Sequence, residues 1–145
     1  MSHYDQMQTL SNLLDTDPVS SHSRPATVKR YVRHIADTVR STQHFDVTST
    51  VAKTRRSERT YALTCTDRSN DRSWVIITLA HRHPANSGDE SSPKNLFIHV
   101  TTHVDGRFTG HREFDLSETP QQLSSVTFLA EALQGVLQQA VSIER

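Results

Sequence analysis

The hydrophobic period of this chain changes along its length. Between positions 3 and 15, Tyr4, Met7, Leu10 and Leu14 recur at helical spacing behind Ser2, a helix-capping residue type. That predicts a short amphipathic helix. The stretch DTDPVSSHSRP follows, with Pro18 and Pro25 around a serine-rich run, and reads as a linker. From 26 to 42 the helical pattern returns at Val28, Val32, Ile35 and Val39, widened by Tyr31 and Ala36. The polar side of this second helix carries Lys29, Arg30, Arg33 and Arg40.

At Phe45 the period drops to two. FDVTSTVA and RTYALTCT alternate, WVIITLAH is almost wholly apolar, and LFIHVTTHV and RFTGHREFDL complete a set of five strands. RHPANSGDESSPKN, between the third and fourth, is long for a hairpin connection. A last helix is announced by Thr119 as cap and Pro120 in the first turn. Leu123, Val126, Ala130, Leu133, Leu137 and Ala140 then mark its apolar stripe.

These elements predict an α+β, two-layer sandwich. A five-stranded antiparallel meander sheet packs on helices 26–42 and 120–142, and its other face stays open. Residues 1–25 are expected to form an N-terminal amphipathic helix plus linker, and 26–145 a single α+β domain.

The fourth and fifth strands hold His99, His103 and His111 around Asp105-Gly106. A two-residue type I′ turn would place Leu96, Ile98 and Val100 on one face with Thr109, His111 and Glu113, mixing core with solvent. A type I turn followed by a bulge at Gly106 gathers Phe108, Gly110 and Phe114 with the apolar set instead. A one-residue slip inverts every side chain, so the second register is the expected one. It sets His99 opposite His111 on the outer face. That pair is the sole metal candidate, and two imidazoles fall short of the three or four protein ligands zinc sites use. No metal or other cofactor is expected.

Composition narrows the field further. The 145 residues carry 16 basic and 16 acidic side chains, so net charge gives no pull toward nucleic acid or an anionic membrane. No apolar run reaches the roughly 18 residues needed to span a bilayer, and the N-terminus lacks the pattern of a secretory signal. Cys65 is the single cysteine, which excludes an intramolecular disulfide and points to a reducing, intracellular compartment, cytoplasmic or nuclear. Cys65 also shares strand parity with Tyr61 and Leu63, which predicts burial rather than nucleophilic work. Neither a G-x-S-x-G elbow nor a Walker or dinucleotide loop occurs among the four glycines. No catalytic residue is assigned, and the chain is not expected to be an enzyme.

Charge is uneven, however. Residues 24–72 hold 11 of the 16 basic side chains against 5 acidic ones. Lys29 and Arg33 on the helix, with Lys53, Arg55 and Arg56 at a hairpin tip, form the candidate nucleic-acid surface. Asp37, four residues after Arg33, has the spacing of a surface ion pair. Only Phe97 and Trp74 offer rings for stacking on bases. The last helix has the opposite character, since from Thr119 to Ile143 its one charged side chain is Glu131. An uncharged, wide-striped helix lets a second protein approach without desolvating an ion.

The expected function is therefore a non-enzymatic protein–protein interaction module, an adaptor or subunit using its terminal helices or open sheet face. The contact residues would be Tyr4, Met7, Leu10 and Leu14 of the first helix and Leu133 and Leu137 of the last. The partner is another protein or a second copy held along helix 120–142, and nucleic-acid binding is the alternative. No membrane partner is expected.

Overall fold

The structure is a computed structural model and describes residues 19–21, 23–53, 59–82 and 94–143. Its elements are α1 (Pro25–Ser41), β1 (Phe45–Lys53), β2 (Arg59–Asp67), β3 (Trp74–Arg82), β4 (Asn95–Val104), β5 (Arg107–Asp115) and α2 (Thr119–Ile143). All neighbouring strands pair antiparallel in the order β1-β2-β3-β4-β5, so the sheet is a plain meander. This is the expected α+β class. The helix expected over 3–15, the hairpin tip at 54–58 and the long connection at 83–93 lie outside the described residues.

Alternation builds the core from one face of the sheet. Tyr61, Leu63 and Cys65 of β2, Val75, Ile77 and Leu79 of β3, and Leu96, Ile98 and Val100 of β4 are all buried. Both helices lay their stripes on this inner face: Val28, Val32, Ile35 and Val39 from α1, Val126, Leu129, Leu133 and Val136 from α2. α1 packs on β1 and β2, while α2 packs on β3, β4 and β5.

Helix boundaries follow local chemistry. Arg24 is extended and Pro25 opens α1, where a missing N–H costs nothing. Gln43, at φ 64°, takes the left-handed conformation that stops the chain just past α1. At the start of α2, the Gln122 N–H donates to the Glu118 carbonyl, so the helix begins about one residue earlier than a Thr119 cap implies. Two first-turn glutamines fasten this junction. Gln121 accepts from the Asp115 N–H at 2.6 Å, and Gln122 donates to the Leu116 carbonyl at 2.9 Å.

The β4–β5 hairpin corrects the expected register. Asp105 and Gly106 have φ of 53° and 78°, and Val104 faces Arg107, so the turn is of the I′ kind after all. A bulge follows between Thr102 and His103, two residues into the ladder. It restores the parity that the turn alone would break, and Ile98 sits opposite Phe114. His99 therefore opposes Glu113, and His111 opposes Thr101. Phe108, expected in the core, lies between turn and bulge and is turned outward, 58% exposed.

Tertiary contacts hold this turn. The Gly106 N–H donates to the Arg72 carbonyl at 2.7 Å, the Asp105 N–H to Ser73 Oγ at 3.1 Å, and Asn70 Nδ2 to Asp105 Oδ1 at 2.7 Å. A Cβ on Gly106 would meet only the flexible end of Arg72, at 3.0 Å, so the cost of substitution lies in the backbone. Gly106→Val is expected to lower the unfolding free energy by about 1–2 kcal/mol in urea titrations, and Gly106→Asn by less, because asparagine tolerates positive φ.

Candidate interaction surfaces

The outer sheet face carries a chain of rings that crosses three strands. Trp74 of β3 stacks on His103 of β4, centroids 4.7 Å apart and planes 17° apart. His103 meets Phe108 edge-on at 5.7 Å, and Phe108 meets His111 at 5.7 Å. His111 closes on His99 at 5.3 Å with planes 88° apart. Strand parity puts Trp74, His99 and His103 on one face, and the bulge adds Phe108 to them. No described helix covers these rings.

One polar atom of the row is left without a partner. His103 Nδ1 is buried with no hydrogen-bond partner among the described residues. Further along the same face, Arg82 lies over Phe97, 4.1 Å from the ring centroid, and pairs with Glu113. The carboxylate opposite His99 is thus already engaged. Among the described residues no group of three or more His, Cys, Asp or Glu side chains is arranged to hold a metal ion. His99 and His111 are diagonal neighbours with rings edge to face.

A second surface lies on the helix side, at the β1 edge of the sheet. Lys29, Arg33 and Arg40 of α1 rim a groove of about 200 Å³ floored by Val32, Ala36, Ser49, Val51, Tyr61 and Leu63. Val51 is 52% exposed and, with Phe108, makes up the large apolar side chains left open among the described residues. Asp37 pairs with Arg40 at 3.4 Å, not with Arg33. Arg40 also donates to the Val47 carbonyl at 3.2 Å, which ties the end of α1 to β1. Lys53 ends β1, two residues beyond Val51, but its side chain is not among those described, and Arg55 and Arg56 lie outside the described residues.

The other expected contact residues fall differently. Leu133 is fully buried against the sheet, so it is occupied by the protein's own core. Leu137's side chain and all of Tyr4, Met7, Leu10 and Leu14 lie outside what is described. Cys65 is fully buried, and burial pushes its thiol up to about 12, with the charge of Arg40 pulling weakly the other way. Such a thiol is not a nucleophile near neutral pH.

Sequence reasoning missed the ring chain because it placed Phe108 inside. The signal was present in the Asp-Gly pair itself, which satisfies both positive φ values of a I′ turn. No family model matches the chain, and no curated protein or solved structure matches it either.

Proposed function

We propose that this protein is a non-enzymatic interaction module that receives another protein on the open face of its sheet. The observation that carries this reading is Phe108. It is 58% exposed at the middle of a five-ring row on a face that no described helix covers. Aromatic side chains are enriched where protein interfaces concentrate their energy, because they offer large rigid area at low entropic cost. Tryptophan and histidine add polar edges that orient a partner without a full charge to desolvate. The buried Leu133 moves the expected contact from the last helix to this face.

The test needs two baits and one titration. Wild-type protein and Phe108→Ser are used to recover partners from the native cell, and the protein lost by the variant is purified. Trp74, the single tryptophan, reports its binding by fluorescence. Phe108→Ser is expected to weaken affinity at least about 30-fold, the scale of a hot-spot residue, with the fold's stability changed by under about 0.5 kcal/mol. Equal affinity of both proteins for every recovered partner would reject the reading.

Nucleic-acid binding is kept as a second reading because Lys29, Arg33 and Arg40 do share one groove. It requires salt-dependent binding of an oligonucleotide that Lys29→Glu/Arg33→Glu abolishes. A flat titration at low salt removes it.

A further inference from the structure

The groove beside β1 is left incomplete by the described elements. α1 lines it on one side with Val32 and Ala36, yet Ser49 and Val51 on the inner face of β1 remain exposed. Its rim is positive, and two of its three charges are unanswered. Among the described residues neither Lys29 nor Arg33 has a carboxylate partner, and the nearby Asp37 is taken by Arg40. An apolar floor with an unpaired cationic rim fits an amphipathic, acidic segment.

The chain has such a segment of its own. Residues 1–18 contain Asp5, Asp15 and Asp17 and no lysine or arginine, with Tyr4, Met7, Leu10 and Leu14 as their apolar stripe. The segment joins the fold at the right end. Val19 is 2% exposed, and Ser21 Oγ accepts the N–H of Leu96 at 2.9 Å, at the start of β4. Leu96 pairs with His81, Ala80 with Thr60, and Thr60 with Ala52. Residues 19–21 therefore sit at the same sheet end as the β1–β2 hairpin, where α1 also begins. Two strand spacings of about 4.8 Å separate β4 from β2, whose Tyr61 lines the groove, and residues 15–18 can span about 13 Å when extended.

Length agrees as well. A helix over 3–15 is about 20 Å long, and the rim from Lys29 to Arg40 runs about 16 Å along α1. We propose that residues 3–15 dock as a helix in the groove of their own chain, beside α1 and over the end of β1. The apolar stripe covers Val51 and Tyr61, and Asp15 and Asp17 lie next to Lys29 and Arg33. This is independent of the outer-face reading, since the two surfaces are on opposite sides of the sheet.

The full chain carries the test. Cys65 is buried and unreactive, so Ser11→Cys can be spin-labelled alone. Paramagnetic broadening is expected at the amides of Lys29, Arg33 and Val51, and not at those of Phe108 and His111. It should persist when labelled chains are diluted with unlabelled ones, and should be absent when label and isotope are on different chains. Lys29→Glu/Arg33→Glu, on exposed positions, should remove the broadening and speed proteolysis within residues 1–18 about tenfold. Adding Asp15→Lys/Asp17→Lys should restore both. Broadening centred on β4 and β5, broadening only between chains, no broadening, or broadening unchanged by charge reversal would each overturn the proposal.

Discussion

Leu133→Ala is expected to cost about 2–5 kcal/mol of unfolding free energy, and Leu133→Asp to leave no folded population. Leu133 is fully buried where α2 crosses the sheet, with Leu129 and Val136 as neighbours on the same stripe. Truncation removes most of a leucine side chain and leaves a cavity that a helix clamped on three strands cannot close. A domain of this size has roughly 5–15 kcal/mol in total, so the alanine variant should still fold. The aspartate variant would bury an unpaired charge at the same point. Exposed Glu131 lies two residues away, and Glu131→Ala should change stability by under about 0.5 kcal/mol. Urea titrations followed by circular dichroism and by Trp74 fluorescence, on the far side of the sheet, measure all three. A folded Leu133→Asp with wild-type stability and an altered association state would show that this stripe faces a second copy instead of the sheet.

The same position shows what a one-dimensional pattern can carry. Spacing alone places Leu133 on an apolar stripe. It does not say whether the stripe meets the chain's own sheet or another protein. The low charge of α2 invited the second view, and the structure accounts for part of it locally: Gln121 and Gln122 bind the backbone of the β5–α2 junction. Gln121 also donates to Glu118 Oε2 at 3.0 Å, and no single carboxylate or ammonium could both accept and donate there.

Five strands, both described helices and the meander were legible because one buried face repeats every second or every 3.6 residues. The bulge was not. Two hairpins satisfy the same parity between Ile98 and Phe114: a bulge placed in the turn, or a I′ turn with a bulge further along. They differ in the residues near the turn and in which pairs meet, and this decides the fate of Phe108 and the partner of His99. What selects between them is non-local. The β2–β3 turn grips Asp105 and Gly106 through Asn70, Arg72 and Ser73, some thirty positions away in sequence. The basic groove was half legible for the same reason. Lys29, Arg33 and Arg40 share a helix face by spacing, but the Val51 and Tyr61 floor exists only once α1 has packed on the sheet.

Alkaline conditions should unfold this protein between about pH 9 and 12, and two buried groups set that window. Burial pushes the Cys65 thiol from 9 up to about 12, against a weaker opposing pull from Arg40. Burial likewise pushes the Tyr31 hydroxyl from 10 up to about 12. In both, the protonated form is the neutral one and is what the native core holds. As pH rises past 9 and then 10, the unfolded chain releases these protons first. It then binds fewer protons than the native state, so stability falls with pH. The contribution is intact below pH 9 and is lost progressively up to 12. At that limit Cys65 accounts for about 4 kcal/mol and Tyr31 for about 3 kcal/mol, which together rival the whole stability of a small domain. Urea unfolding at pH 8, 10 and 11 should show the midpoint dropping steeply for the wild type. Tyr31→Phe keeps the ring and removes the proton, and Cys65→Ala does the same for the thiol at the cost of a small cavity. Each should flatten the descent, and the double variant should be nearly level where the wild type collapses. Curves that stay parallel across this range would mean that neither proton is held by the core.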